Sequence, residues 1–300
     1  MKFVIAVAAL GVLAARAGPV VETRAPPPGD VDILNLALTL EHLENAFYQL
    51  QLRRFSQRDF RNAGLPEGAR QQLIEVGMHE MEHVAFLKNL LGGMAVRPCT
   101  YRFPVNNPTE FAHLSQVFEN VGVGAYTGAT ASLSKRYVTD SASILGTEAR
   151  QAAVIASYIN GVEGWGGSWN SPLTMSQAYT LASGFIVSCP RDNPPLPVRV
   201  FPKLTFPPNA KPGDTVVLTF NNPFGPRVKL WVAFLSGATR TPILVAIINR
   251  RVTIPRILKG QVYAIVSTSQ FTVRDRDTVA GPALLQFNYN LMGQPIPPMP

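Results

Sequence analysis

The residues of this sequence that could do chemistry are polar side chains that interrupt the apolar stripes of four predicted helices. Burying a carboxylate or an imidazole on such a stripe is unfavourable unless the group is paired, hydrogen-bonded or bound to a metal ion. The interruptions are therefore informative about function. They are Glu41 in the first helix, Glu80 and His83 in the second, Glu119 in the third, and Glu148 with Gln151 in the fourth.

The spacing of these residues suits metal binding. Glu80 and His83 are three residues apart, which places a carboxylate and an imidazole on one face of a helix. In di-metal helical bundles, two helices each contribute a Glu and the other two each contribute a Glu-x-x-His pair. Carboxylates bridge hard cations, and an imidazole ligand suits iron or manganese. The pattern predicts a mononuclear or dinuclear Fe or Mn site held by Glu41, Glu80, His83, Glu119 and Glu148.

Two other interpretations of these residues stay open. The bundle could hold no metal, with its carboxylates hydrogen-bonded to Tyr48, Tyr126 and Gln151. Residues 79–83 also satisfy the zinc motif H-E-x-x-H, but that motif needs a third ligand and a protease-like fold, against which the helical pattern argues. Glu44, near the inner face, is either a further ligand or a hydrogen-bond partner.

The elements that must position these residues form a four-helix bundle. Apolar residues recur at intervals of three and four, which is the period of a helix with one buried face. This pattern predicts helices over 33–54, 69–91, 108–134 and 140–159, with a shorter fifth helix over 174–187.

After residue 193 the pattern changes to short segments rich in Val, Ile, Thr, Phe and Tyr between Pro, Gly and Asn turns. These segments lie near 198–206, 214–220, 228–235, 242–248, 261–268 and 283–289. Six or seven short strands in about 100 residues predict an all-β Ig-like sandwich, so the fold class is α + β with two domains. The expected parts are a signal peptide at 1–17, a leader at 18–29, the helical bundle at 30–190, a linker with the first strand at 191–205, the β-sandwich at 198–290 and a Pro-rich tail at 291–300.

The N-terminus and the cysteines predict a secreted protein. Lys2, the apolar run at 3–13 and the A-x-A cleavage pattern Ala15-Arg16-Ala17 match a cleavable signal peptide. No later segment has the length and apolarity of a transmembrane helix. In an oxidising compartment, Cys99 and Cys189 most simply form one disulfide, and two buried free thiols are the alternative. The expected location is extracellular or in a cell wall.

Charge is divided unevenly along the chain. Residues 18–190 carry 12 Lys and Arg against 15 Asp and Glu, whereas residues 191–300 carry 13 against 4. A basic surface can bind anionic cell-wall polymers, although a solubilising surface is the alternative. We expect no nucleic-acid partner, and the oligomeric state stays open.

Several motifs resemble those of one superfamily. They are the run from Asp32 to Tyr48, His79-Glu80-Met81-Glu82-His83-Val84, the run from Glu119 to Tyr126, and Cys189-Pro190-Arg191-Asp192-Asn193-Pro194. This part of the sequence, about residues 30–200, is similar to the ferritin-like superfamily, and within it to fungal stress-response and late-sexual-development proteins and plant desiccation-related proteins. The resemblance implies a ferritin-like bundle with the five ligands named above.

Gln151 departs from the pattern of that superfamily, because it stands where a second histidine is expected. A neutral amide oxygen is a weaker ligand than an imidazole, so the resemblance implies a weak second metal position. Two functions remain. One is a metal-dependent oxidase or peroxide-scavenging protein of stress or development, with Tyr48 as a hydrogen-bond donor near the metal. The other is a non-catalytic secreted protein with a degenerate bundle and a basic, polymer-binding β-domain.

Overall fold

The computed structural model describes residues 29–224, 228–290 and 292–296. The predicted signal peptide and all but the last residue of the predicted leader lie outside the described residues, as does part of the Pro-rich tail. Within the described ranges, a helical region is followed by a sheet-rich region. The α + β prediction is confirmed.

The first region contains long and short helices. They are α1 (Asp30–Arg54), α2 (Gln57–Asn62), α3 (Ala69–Leu91), α4 (Pro108–Ala129), α5 (Lys135–Val154) and α6 (Met175–Ser183). The four long helices were predicted, whereas the short α2 was not. In the part of the chain that the structure describes, no helix is long and apolar enough to cross a bilayer.

Three predicted helix ends are wrong. α4 ends at Ala129, not at residue 134, and α5 begins at Lys135, not at residue 140. Ser134 lies in the turn between them and is the N-cap residue of α5. α6 ends at Ser183, not at residue 187, because the chain then enters a strand.

Side-chain caps help to set where α4 and α6 begin. Asn107 Oδ1 accepts a hydrogen bond from the backbone N–H of Glu110 at 2.9 Å, and Pro108 occupies the first turn of α4. Thr174 and Gln177 form a reciprocal capping box at the start of α6. Because a helix repeats every 3.6 residues, a fixed start helps to determine which side chains face the bundle interior.

The strands of the structure are mostly short and antiparallel. They are β1 (Thr100–Tyr101), β2 (Ile186–Ser188), β3 (Leu204–Thr205), β4 (Thr215–Val217), β5 (Thr219–Phe220), β6 (Trp231–Leu235), β7 (Ile243–Ala246), β8 (Arg251–Thr253), β9 (Gly260–Ser267) and β10 (Thr278–Phe287). One sheet has the order β10-β9-β6-β7. β4 and β5 are successive parts of one extended stretch, which pairs first with β8 and then with β3. The four-stranded sheet forms one layer of an Ig-like sandwich, and β3, β4, β5 and β8 form the other.

The four-stranded sheet is covered on both faces. Val232 and Val266 pack with Leu218 in the core of the sandwich. Intervening residues share a hydrophobic core with the helical bundle, and these are Ala233, Leu235, Tyr263 and Ile265. The Tyr263 hydroxyl also donates a hydrogen bond to the carbonyl oxygen of Asn120 in α4, at 2.9 Å. Burial on both faces explains why β6 and β9 read as unbroken apolar runs.

Cys99 and Cys189 form the predicted disulfide, so the alternative of two free thiols is wrong. The bond lies beside β1 and β2, which pair with each other. It therefore ties the loop that follows α3 to the chain that leaves α6.

Candidate metal centre

A cluster of acidic and imidazole side chains lies inside the helical bundle. Glu41, Glu80, His83 and Glu148 each offer one ligand atom, and these four atoms all lie within 4.8 Å of one another. The three carboxylates are buried, and the His83 side chain is 12 % exposed. The fold thus brings together four of the five predicted ligands, from α1, α3 and α5.

Three carboxylate oxygens converge on one nitrogen of His83. Its Nδ1 atom lies 3.2 Å from Glu41 Oε2, 3.4 Å from Glu80 Oε2 and 3.5 Å from Glu148 Oε1. An imidazole and several carboxylates form a donor set suited to divalent iron or manganese.

The hydrogen bonding of the cluster is incomplete. Glu80 Oε2 and both carboxylate oxygens of Glu148 are buried and have no hydrogen-bond partner among the described residues. Two of these oxygens approach His83 only at the long distances given above. Unpaired buried carboxylate oxygens are strongly unfavourable, and a bound cation would satisfy them. The residues present therefore fit a metal ion.

Glu119 lies beside this group and not within it. Its Oε1 accepts a hydrogen bond from the Tyr48 hydroxyl at 2.5 Å, and its Oε2 accepts one from Gln151 Nε2 at 2.6 Å. The same amide nitrogen donates to Glu80 Oε1 at 2.7 Å, while the amide oxygen lies 2.7 Å from His79 Nδ1. Gln151 therefore bridges two carboxylates by hydrogen bonds at the place where the ferritin-like pattern has a second histidine.

The two halves of the bundle carry matching side chains. α1 and α4 present polar or small residues at the same spacing, which are Glu41, Glu44 and Tyr48 in α1 and Glu119, Gly122 and Tyr126 in α4. The tyrosines cross over, because Tyr126 donates to Glu41 Oε1 at 2.5 Å just as Tyr48 donates to Glu119. α3 and α5 match in the same way, with Gln151 in the position of His83. The halves differ at Gln151 and Gly122, so they offer different side chains to a metal ion.

Gly122 is a site residue that sequence reasoning missed. An alanine Cβ there would lie 2.5 Å from Glu148 Oε2 and 3.5 Å from Glu44 Oε1. The glycine leaves the space in which the Glu148 carboxylate lies, and Glu44 borders the same space. A signal was available in the sequence. Gly122 follows Glu119 by three residues, just as Glu44 follows Glu41.

Burial shapes the protonation of the cluster. Burial, together with neighbouring carboxylates, raises the pKa of Glu80 and of Glu119 to about 8. The same two causes raise the pKa of Glu44 and of Glu148 well above the ordinary range. Burial acts to lower the pKa of His83, but its contacts with the carboxylates outweigh this and raise it overall. Without a cation, the cluster retains protons at neutral pH, and a divalent ion would displace them.

Comparison with known proteins agrees with this geometry. Residues 29–161 match the family model of the ferritin-like domain. The helical region is a ferritin-like domain. The matched range contains α1 to α5 and every residue of the cluster. The chain is also similar to Protein rds1 of Schizosaccharomyces pombe, with 27% identity over 183 residues. That similarity covers 58% of this chain and 44% of the yeast protein, so it spans less than half of the relative's length.

These findings decide between some of the alternatives. The ferritin-like resemblance is confirmed, and the yeast relative supports its fungal stress-response branch. The structure does not support the H-E-x-x-H zinc interpretation, because His79 contacts the Gln151 amide and does not belong to the four-ligand group. The hydrogen bonds of the metal-free interpretation are present, but they leave the oxygens of Glu148 without partners.

Proposed function

We propose that this protein is a secreted metalloprotein that binds one iron or manganese ion and reduces dioxygen or hydrogen peroxide, in stress or development. The ligands would be Glu41, Glu80, His83 and Glu148. The observation that carries the proposal is the convergence of these four ligand atoms within 4.8 Å while buried carboxylate oxygens lack partners. The ferritin-like domain and the similarity to a fungal relative support the same reading.

The surrounding side chains would orient the ligands. Tyr126 holds one oxygen of Glu41, and Gln151 holds one oxygen of Glu80, so that the other oxygen of each carboxylate is presented to the ion. A ferrous or manganous ion bound there would supply electrons to dioxygen or peroxide and would itself be oxidised to the trivalent state. The buried position of the carboxylates keeps bulk water from competing with them for the ion.

One metal position is expected, not two. On the Glu119 side, both carboxylate oxygens already accept hydrogen bonds and the Gln151 amide nitrogen already donates two. A second ion would have to break these bonds and would gain only a neutral amide ligand. We therefore propose a mononuclear site.

Elemental analysis and oxygen uptake test the proposal. The purified chain should contain about one iron or manganese per molecule, and the metal-free protein should consume oxygen when Fe(II) is added. Glu80→Gln should abolish both, because it removes a buried charged ligand. Glu82→Gln is the matched control, since Glu82 lies exposed on the same helix. Protein that binds no metal, or oxygen uptake that Glu80→Gln leaves unchanged, would overturn the proposal.

A second candidate function concerns the β-domain, whose half of the chain is strongly basic. Arg250, Arg251 and Arg256 are exposed, and none forms an ion pair with an acidic side chain in the described ranges. Such a surface would bind anionic cell-wall polymers, with an affinity that falls as salt rises. Reversing these three charges should abolish retention on an anionic polysaccharide. The control reverses three exposed charges of the bundle, Arg61, Lys88 and Arg150.

Secretion belongs to the same proposal. The disulfide between Cys99 and Cys189 and the N-terminal signal pattern support it. The N-terminal sequence of protein recovered from culture medium tests it directly, because cleavage after Ala17 is expected. Protein that stays inside the cell with residues 1–17 attached would contradict it.

A further inference from the structure

A cavity of about 600 Å³ lies between the helical bundle and the β-sandwich. Apolar side chains from both regions line it, including Leu36 and Leu40 of α1, Ala125 of α4 and Leu235 of β6. Sites for small molecules typically measure about 300–1,000 Å³ and have mainly apolar walls. We name this space the interdomain cavity.

One buried hydrogen-bond donor in the cavity wall is unused. Gln177 is 1% exposed, and its Oε1 accepts a hydrogen bond from the backbone N–H of Thr174 at 3.0 Å. That bond fixes the amide plane. Its Nε2 has no hydrogen-bond partner in the described part of the chain. Burying a donor without a hydrogen bond is energetically unfavourable. We therefore expect an atom of a ligand to accept a hydrogen bond from this nitrogen.

The charges that line the cavity are balanced. Arg240 and Asp275 both border it, and the Asp275 carboxylate accepts a hydrogen bond from the Thr174 hydroxyl at 2.5 Å. One positive and one negative side chain give no preference for a charged ligand. We propose that the interdomain cavity binds a neutral, largely apolar small molecule whose carbonyl oxygen accepts a hydrogen bond from Gln177, such as a ketone or an ester.

The cavity adjoins the candidate metal centre at the side chain of Tyr126. Tyr126 lines the cavity, and its hydroxyl donates to Glu41 Oε1. Binding in the cavity needs no metal, so this proposal stands separately from the proposed function.

Fluorescence titration of the full chain tests the proposal. The probe is a naphthyl ketone whose emission moves to the blue in apolar surroundings. We expect saturable binding of one probe per chain. A methyl ketone with a ten-carbon chain should displace it, and the carboxylate of the same chain length should displace it at least tenfold less well. Absence of saturable binding, or equal displacement by the carboxylate, would overturn the proposal.

Two variants locate the probe. Gln177→Glu keeps the oxygen that caps α6 but removes the N–H donor. The ketone should then bind about tenfold more weakly, which corresponds to the loss of about one hydrogen bond. Ala129→Phe places a ring in the cavity and should abolish binding. Ala142→Phe is the control, because Ala142 lies exposed on α5 and borders no part of the cavity. Binding that survives both cavity variants would contradict the assignment.

Discussion

Replacing Gly122 by alanine should weaken metal binding far more than it weakens folding. The added Cβ would lie 2.5 Å from Glu148 Oε2, whereas ordinary contacts begin at 3.4 Å. The carboxylate oxygen must therefore move by about 0.9 Å, since a buried helix backbone yields less readily than a side chain. Functional sites tolerate displacements of about 0.5 Å, so Glu148 would leave its ligating position.

The size of the effect follows from comparable perturbations. Disturbing the groups that orient a metal ligand typically lowers affinity by about 10- to 100-fold, and we expect a loss in this range. The substitution has two opposing effects on the stability of the fold. Alanine is favoured over glycine in a helix by about 1 kcal/mol. Crowding of a packed interior costs about 1–3 kcal/mol. Metal-free Gly122→Ala should therefore lose at most about 2 kcal/mol of stability.

The assay measures the two quantities separately. Mn(II) affinity is obtained by titration against a competing chelator, and stability is obtained by urea unfolding of the metal-free protein. Gly146→Ala provides the control, because an alanine Cβ at this position in α5 would meet no atom within 4 Å. It should keep full affinity. An unchanged Mn(II) affinity in Gly122→Ala would refute the claim that Glu148 binds the ion from this position.

Two further predictions concern the ligand set and pH. Gln151→His should raise bound metal from one to two ions per chain in elemental analysis, because an imidazole replaces the bridging amide; a count that stays at one would contradict the view that Gln151 closes the second position. The metal-free protein should lose stability as pH rises from about 5 to about 9, because Glu80 has a pKa of about 8 when folded against an ordinary 4.5, so the folded state binds protons that the unfolded state has released. Urea unfolding midpoints measured across this range give the change of stability with pH. Bound metal should make that change smaller. Stability that rises with pH would count against a protonated cluster.

The four residues of the cluster could be predicted from the sequence because the signal is local. A charged residue on the apolar stripe of a helix is visible without knowing the partner helices, as Glu41 and Glu148 show. The hydrogen bonding of Glu119 could not be predicted in the same way. Whether its oxygens meet a metal ion or the groups of Tyr48 and Gln151 depends on how the helices are rotated against each other.

Two of the features that were missed, Gly122 and the unused donor of Gln177, depend on tertiary packing. Gly122 matters through the side chain that it lacks, and the unused donor of Gln177 is recognisable only once the cavity beside it is formed. β8 was missed for a more local reason. The turn before it places Asn249 and Arg250 at φ 50° and 60°, a conformation that usually calls for glycine, and no glycine marks it in the sequence.

Because the four-stranded sheet is buried on both faces, the bundle and the sandwich each cover apolar surface of the other. The sandwich supplies a wall for the bundle, and Tyr263 braces α4 one residue beyond Glu119. A fragment ending near residue 190 would expose apolar side chains that the sheet now covers, and it would leave α4, which carries Glu119, without the contact from Tyr263. We therefore expect the two regions to unfold together, and substitutions in β6 or β9 to affect the carboxylate cluster.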